Sequence, residues 1–399
     1  MKPILSILCL CLAAAPAVAA TETEGEIIVP CGGDFAAFTD AMEQAAIQRG
    51  ADPATAAQFF SGVQRDQDTI DADRRQGVFT LPFVEFAQRL ISQSRMDRGR
   101  QNAQTYADVF ERIERTYGVP RGILMAFWAF ETDYGAVQGD FNTVDSLMTL
   151  SHDCRRPGLF QPQVLAALEL YQRGDLDPRS TTGAWAGEIG QVQMLPEDIL
   201  TNGMDGDGDG HVRLKTSTPD ALMSGAKMLS DLGWRPNEPW LEEVSVPSDF
   251  AWAETGMETT RPAGEWGQMG VTAKDGSIDA PELPASLILP QGKDGPAFLA
   301  YPNFSVLFEW NQSFTYVLTA AYFATRLEGA PIFDVGNPSP ALSDAQMKEL
   351  QRKLEARGHD VGEVDGILGA GTRAAVRAEQ ARLGLPVDAW PTAQLLNAL

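Results

Sequence analysis

One carboxylate in this chain stands where a carboxylate is costly. The stretch Val119–Gly135, VPRGILMAFWAFETDYG, is apolar over a helical length and then carries Glu131. On a helix, Phe127, Trp128 and Tyr134 lie three or four residues from Glu131 and share its neighbourhood. Removing water from a carboxyl disfavours its charged form, and a carboxyl that keeps its proton near neutral pH can protonate a glycosidic oxygen. A helix-end glutamate paired with an arginine would look the same in this segment alone, so both readings stand here. Asp133 is badly placed as a second carboxylate, because two residues along a helix it faces another way.

A second stretch, Ala184 to Pro196, reads AWAGEIGQVQMLP. Gly187 and Gly190 would let the backbone approach a sugar closely, and Gln193 offers both a donor and an acceptor to an N-acetyl or hydroxyl group. Together these stretches resemble the lytic murein transglycosylase B family, glycoside hydrolase family 103. Its Glu-Thr-x-x-Gly pattern is matched by Glu131, Thr132 and Gly135. Its Ser/Ala-Trp-Ala-Gly-x-x-Gly-x-x-Gln-x-x-Pro pattern is matched by Ala184, Trp185, Ala186, Gly187, Gly190, Gln193 and Pro196.

The resemblance implies further site residues. The family places an Asn-Phe segment and a Tyr-Asn pair on its cleft wall, where this chain has Asn303, Phe304, Trp310 and Asn311; Trp310 keeps a stacking face but loses the phenol hydroxyl. Arg155 and Arg156 match a basic pair that faces the family's cleft, the alternative being a solvated surface pair. Tyr134 is expected to meet substrate as well. Glu188 departs from the pattern, which more often has an uncharged residue there, and so does Asp198-Ile199-Leu200.

A glycosidase of the usual kind needs two carboxylates around the scissile bond. The resemblance implies that Glu131 works alone on the MurNAc-GlcNAc bond of peptidoglycan, first as acid and then as base toward the C6 hydroxyl of muramic acid, giving 1,6-anhydro ends. No cofactor is required for that chemistry. Two other functions stay open at this stage. One is a wall-binding scaffold without catalysis, suggested by the departures at Glu188, Asp198 and Trp310; the other is a muramidase in which Glu188 or another carboxylate activates water.

Asp205, Asp207 and Asp209 occupy positions 1, 3 and 5 of an EF-hand-like start, with Gly210 at 6 and the backbone carbonyl of His211 at 7. Position 12 is Thr216, and the nearest acidic replacement is Asp220. A structural Ca2+ or a plain acidic turn would both give this pattern.

The elements that must position these residues are mainly helical, an α+β chain overall. Phe59 and Val63, then Phe83, Phe86 and Leu90, recur at helical spacing between Phe35 and Tyr117. Pro120 suits the first turn of the Glu131 helix, and further helices are expected over Pro162–Gln172, Pro219–Leu232 and Ser305–Arg326. Between Trp240 and Phe304 short β-prone pieces, Glu243–Val246, Ser286–Leu289 and Ala297–Tyr301, suggest a small sheet or loop-rich insertion. A lysozyme-like helical catalytic domain over residues 21–330 is what the resemblance implies. Residues 331–341, with Gly336, Asn337 and alternating prolines, read as a linker.

Residues 342–399 resemble the small three-helix peptidoglycan-binding domain, on Leu350-Gln351, Leu354, Gly358, Val364-Asp365-Gly366, Gly369, Thr372, Ala375-Val376, Gln380 and Leu385. Ser343 and Gln346 fit a capping box ahead of its first helix.

Residues 1–20, with Lys2, the apolar run Ile4–Leu12 and the small residues Ala13–Ala20, read as a cleaved signal peptide, hence export to the periplasm. Losing Lys2 takes the net charge from −23 to −24, a field that repels nucleic acid and anionic lipid. The mature chain is expected to be a monomer without a membrane span, acting on peptidoglycan glycan strands. Two cysteines remain, Cys31 and Cys154, which in an oxidising compartment most simply form one disulfide, with two buried thiols as the alternative.

Overall fold

The computed structural model describes residues 25–75, 81–274 and 276–399, so the signal-peptide reading of residues 1–20 lies outside it. Among the described residues there are seventeen α-helices and seven short strands, an α-rich α+β fold as expected. No helix among them is long and apolar enough to cross a membrane.

The centre is the helix Arg121–Thr132, in which every residue after Arg121 is buried. A helix that is apolar all round must be surrounded. Its main partner is the helix Phe314–Leu327. Gly122 permits the closest approach, since a Cβ there would come within 2.8 Å of the Ala324 carbonyl oxygen. At the same end the Glu328 carboxylate accepts the Gly122 N–H at 2.8 Å, placing negative charge at the helix N-terminus.

Six helices from Phe35–Gln48 to Ala107–Tyr117 wrap this pair and a second core. That second core is built on the helices Thr143–His152 and Pro157–Arg173. The latter starts five residues earlier than Pro162, where the sequence suggested it would begin. Pro157 supplies the first turn, and the Gly158 carbonyl, which Pro162 cannot bond, lies against Gly25. Cys31 and Cys154 form the disulfide, with Cα atoms 5.3 Å apart, and tie the N-terminal segment to the start of this helix.

The β-prone insertion is an antiparallel sheet of five strands, in the order Arg261–Pro262, Pro284–Ile288, Ala297–Ala300, Leu241–Ser245, Thr272–Ala273. Its register pairs Leu241 with Ala300 and Ile288 with Phe298. One face buries Trp266, Leu287, Leu299 and Tyr301 in a core of its own, while Phe298 and Ile288 join the core of the central helices.

Residues 331–341 have no regular secondary structure, as a linker should, but they are no free tether. Phe333 is buried against Phe83 and Tyr322, and the Asn337 N–H donates to the Asp294 carbonyl at 2.7 Å. The three helices Asp344–Glu355, Ala370–Arg382 and Ala393–Ala398 follow, with the Ser343/Gln346 capping box formed. Two buried amides organise their loops: Gln351 accepts from the Gly366 N–H and donates to the Ile367 carbonyl, and Gln380 accepts from the Ala389 N–H and donates to Asp388.

The disulfide spans 123 residues, and in the chain-entropy model closing such a loop is worth about 4–5 kcal/mol. Replacing Cys31 by Ser is expected to lower the unfolding free energy by that order, and with it the denaturation midpoint, and a reductant should affect the wild type but not the variant. Equal midpoints with and without reductant in the wild type would show that the bridge carries no stability.

Candidate active site

Glu131 sits in the last turn of the central helix and is only 1% exposed. Its Oε1 accepts two hydrogen bonds, from the Tyr316 hydroxyl and from the Trp310 indole N–H at 3.2 Å. The Trp310 ring stacks on Phe127, with centroids 4.4 Å apart and planes 19° from parallel, so its face is already taken up by protein on one side. Tyr316 presents its ring to Phe130 edge-on. Where a structural glutamate would meet an arginine, this oxygen of Glu131 meets two neutral donors. Tyr316 was missed in the sequence because it sits in a helix of Phe, Val and Leu where an aromatic reads as core.

The chain turns sharply after the acid. Asp133, Tyr134 and Gly135 all have left-handed backbone, with φ of 53°, 63° and 82°. The Thr132 hydroxyl explains its place in the motif: it accepts the Gly135 N–H at 2.9 Å and donates to the Gln191 carbonyl at 2.6 Å. Gly135 is required because a Cβ would meet the Gln191 side chain at 2.8 Å, besides the strain of its φ. Asp133 is held by Arg95 at 2.9 Å and Arg98 at 2.6 Å. Burial works to raise its carboxyl, but hydrogen bonds from Arg98 and Arg95 outweigh that and keep it below the usual range, so it is committed to the turn. Tyr134 donates its hydroxyl to the Arg95 carbonyl at 2.9 Å and lies under the Arg98 guanidinium.

Across the seam, residues 183–194 form the second motif. Phe141 pairs with Gly183 at its start and Ile189 bridges to Met194 at its end. Gln193 has φ of 53°, donates its amide to the Gly190 carbonyl at 2.6 Å, and leaves its Oε1 buried without a partner. An orphaned acceptor of this kind is what a sugar N–H or O–H would satisfy. The two glycines do something other than expected. Gly187 and Gly190 are buried with positive φ, and Cβ atoms there would lie 2.3 Å from Leu147 and 2.5 Å from Leu214. Packing and backbone conformation demand glycine, and the room is not left open for a sugar.

Glu188 lies in this motif, 3% exposed, with neither carboxyl oxygen hydrogen-bonded. Burial pushes its carboxyl up to about 7, the charge of Glu131 adding to the rise and that of Arg156 opposing it.

Other expected site residues separate into two groups. Arg155 and Arg156 both grip the buried Asp73, Arg155 at 2.6 Å, so the pair is neither a bare surface patch nor wholly available to substrate. Asn311 uses its Oδ1 to accept the Ser313 N–H at the start of the Tyr316 helix. Asn303 is fully buried, and its amide fastens the Arg235 N–H and the carbonyls of Arg235 and Glu238, which leaves it a structural role in this state.

In the acidic loop, single carboxylate oxygens of Asp205, Asp207 and Asp209 lie within 4.8 Å of one another. Asp220 is not among them. It is fully buried, and its two oxygens accept the N–H groups of Gly206, Asp207 and Arg213, closing the loop from beneath. The His211 ring pairs with Asp175 at 2.9 Å.

Comparison with known proteins places these observations. Residues 34–325 match the family model of the transglycosylase SLT domain, and residues 343–399 that of a peptidoglycan binding domain. The chain is similar to SltB3 of Pseudomonas aeruginosa, solved in complex with NAG-anhNAM-pentapeptide, at a TM-score of 0.85 and 37% identity over 92% of this chain and 99% of that one. It is 24% identical over 237 residues to the membrane-bound lytic murein transglycosylase B of Escherichia coli (strain K12), a match spanning 59% of this chain and 64% of that relative's length. The Escherichia coli transglycosylase Slt35, solved in complex with calcium, shares the fold at a TM-score of 0.64 and 22% identity over 76% of this chain and 97% of that one.

The buried Glu188 has a consequence for stability. Its folded value near 7 stands above the ordinary 4.5, so between about pH 4.5 and 7 the unfolded chain loses the proton first and stability falls as pH rises, by roughly 3 kcal/mol in total. Glu188→Gln should therefore be stabilised relative to wild type at pH 8 far more than at pH 5. Thermal or urea melts at the two pH values check this, and a difference independent of pH would refute it.

Proposed function

The chain belongs to the transglycosylase SLT domain family, and from that premise we propose that it cleaves the β-1,4 bond between N-acetylmuramic acid and N-acetylglucosamine in peptidoglycan without water, leaving 1,6-anhydromuramoyl ends. The observation that carries the reading is the buried carboxyl of Glu131, gripped on one oxygen by Tyr316 and Trp310. Its neighbour Asp133 is taken by two arginines, and Glu188 offers no exposed oxygen with which to activate water.

In this mechanism Glu131 gives its proton to the glycosidic oxygen as the C1–O bond breaks. The carboxylate left behind is stabilised by the Tyr316 and Trp310 donors, already in place and needing no rearrangement. It then takes the proton of the muramic acid C6 hydroxyl, whose oxygen bonds to C1. The proton returns to Glu131 and the acid is regenerated. The substrate's hydroxyl thus replaces both the water and the second carboxylate of an ordinary glycosidase.

Gln193, through its unpaired Oε1, and the partly exposed Trp310 are the groups we assign to sugar binding. Arg155 and Arg156 follow if substrate reaches them past Asp73. Residues 343–399 would hold the wall, and the work would be done in the periplasm by a monomer. A calcium ion would suit the loop, held by Asp205, Asp207, Asp209 and the His211 carbonyl; four oxygens are fewer than calcium usually takes, and water would complete the set. When bound, the ion would brace the loop that packs against residues 183–194 and take no part in the chemistry.

Digestion of purified peptidoglycan, with the products weighed, tests the activity. Wild type should release muropeptides one water lighter than hydrolysis gives, and Glu131→Gln should lose roughly 100-fold to 10,000-fold in rate, the range for a general acid/base. Reducing ends in place of anhydro ends would make the chain a muramidase. For the ion, calcium should raise the thermal midpoint of the wild type and not of Asp205→Asn; equal midpoints in calcium and in chelator would dismiss the site.

A further inference from the structure

Gln138 lies on the segment that leaves the acid turn, and its amide is held in one orientation. Its Nε2 donates to the Gly135 carbonyl at 3.0 Å and to the Lys215 carbonyl at 3.1 Å. Both amide hydrogens are thereby spent, and turning the group over would set its oxygen against two carbonyl oxygens. The Oε1 is left buried with no partner. Gln193 repeats the pattern: its Nε2 donates to the Gly190 carbonyl at 2.6 Å and to the backbone carbonyl of Gln138 at 3.5 Å, and its Oε1 is likewise bare. The second of those bonds brings the two residues together, although one follows the acid and the other belongs to the 183–194 stretch.

This segment is fixed at both ends. The Gly135 N–H donates to the Thr132 hydroxyl and the Val137 N–H to the Thr132 carbonyl, both at 2.9 Å. Gly139 packs so closely on the second motif that a Cβ would fall 2.1 Å from the Gly183 carbonyl oxygen. A buried acceptor without a donor is costly. Two such acceptors, on touching residues whose own donors are committed, call for donors from outside the chain. Amide oxygens carry no charge, so a neutral N–H suits them better than an ammonium, which would want a carboxylate. Gln138 itself is half-buried and its neighbours Ala136, Val137 and Gly139 are exposed, which gives a ligand an approach from the surface. Val137 is 49% exposed, an apolar side chain standing in water next to the bare amide. A neutral N–H with a methyl close by is the description of a secondary amide such as an acetamido group.

We propose that Gln138 is a specificity-determining residue: its Oε1 accepts the N–H of a secondary amide of the substrate, alongside the donor that Gln193 takes, while Val137 covers the methyl next to that amide. The inference rests on the reading of the substrate as peptidoglycan. That polymer offers the same chemistry from two sources, the acetamido groups of its sugars and the amide that joins the lactyl group to the first alanine of the stem peptide.

Full-length Glu131→Gln, which holds substrate uncleaved, can be titrated calorimetrically with the N-acetylglucosamine–N-acetylmuramic acid disaccharide, bare or carrying its pentapeptide. Gln138→Met, close to glutamine in length but without the amide, should raise Kd about 3-fold to 10-fold, the range for one neutral hydrogen bond. A bare disaccharide with N-methylated acetamido groups distinguishes a contact from a structural effect. If the acetamido N–H is the donor, this ligand should bind the parent protein more weakly and be indifferent to Gln138→Met. If the stem amide is the donor, the loss should appear only with the pentapeptide. In otherwise wild-type protein the same substitution should raise KM on purified peptidoglycan more than it lowers kcat, whereas a residue that merely braces the acid turn would move kcat. A Kd for both disaccharides unchanged by Gln138→Met overturns the proposal, as does an equal loss for the N-methylated ligand, the result expected if water fills the site. Should Gln138→Met not fold, the parent protein decides, because amides N-methylated at either source that bind as well as their N–H counterparts overturn it. A parent protein that binds neither disaccharide overturns the site and counts against the proposed function as well. A wild type that releases anhydro ends, with Kd unmoved by Gln138→Met, overturns the site alone.

Discussion

A carboxyl group kept out of water at the end of an apolar helix sets the terms for the rest of this molecule. Eleven of the twelve residues of the helix Arg121–Thr132 are buried, and such a segment tolerates a carboxyl only where donors are waiting. Tyr316 and Trp310 are those donors, and both come from the far end of the catalytic region. Their placement depends on the helix Phe314–Leu327 lying flush along the acid helix. Gly122 makes that possible by letting the two backbones close up, and Glu328 secures it by capping the N-terminus of the acid helix. The cost of burying one glutamate is thus met by a contact that runs the whole length of two helices.

Polar residues around the acid divide by what remains of their bonding capacity. Asp133, Tyr134 and Asn303 have committed theirs to turns and loops, and have little left for a ligand. Gln193 has donated its amide and kept an acceptor in reserve, and neither carboxyl oxygen of Glu188 is engaged. Groups of the first kind rigidify; those of the second are where an incoming ligand or a change in protonation can alter the energy. The same division holds in the acidic loop, where Asp220 is consumed by three backbone N–H groups while Asp205, Asp207 and Asp209 converge at the surface.

Much of this was legible in the sequence, and the parts that were not have a common cause. An apolar run of helical length after Pro120 marked the acid helix, and short β-prone pieces between prolines and glycines marked the insertion, because those signals are local. The Ser343/Gln346 cap was readable for the same reason. Glu131 and Thr132 stood out through a motif whose sense is now physical: the threonine hydroxyl spans the turn and the seam at once. Tyr316, Asp73 and the burial of Asn303 and Asp220 were not legible, because each depends on a partner from a distant part of the chain. Gly187 and Gly190 show the reverse error. Their importance could be read, but their reason, the packing of Leu147 and Leu214, could not.

The C-terminal module shows how far the demands of the acid extend. Composition suggests a domain on a tether, yet the chain between the two parts is anchored by Phe333 and Asn337, and the module rests on the insertion and on the helix that carries Tyr316. Arg373 is half-buried at this contact, donating to the Pro290 carbonyl and lying 5.0 Å from the Phe314 ring. Desolvation at the contact lowers its guanidinium from the ordinary value to about 10. The Lys293 N–H donates to Asp388, and Gly292 makes room for Trp390. Phe314 opens the helix that two residues later presents its hydroxyl to Glu131. A shift of the module large enough to withdraw Arg373 would strip the ring that starts this helix and leave Pro290 without its donor. The C-terminal module and the helix that presents Tyr316 to Glu131 are thus joined by packing as well as by the chain between them.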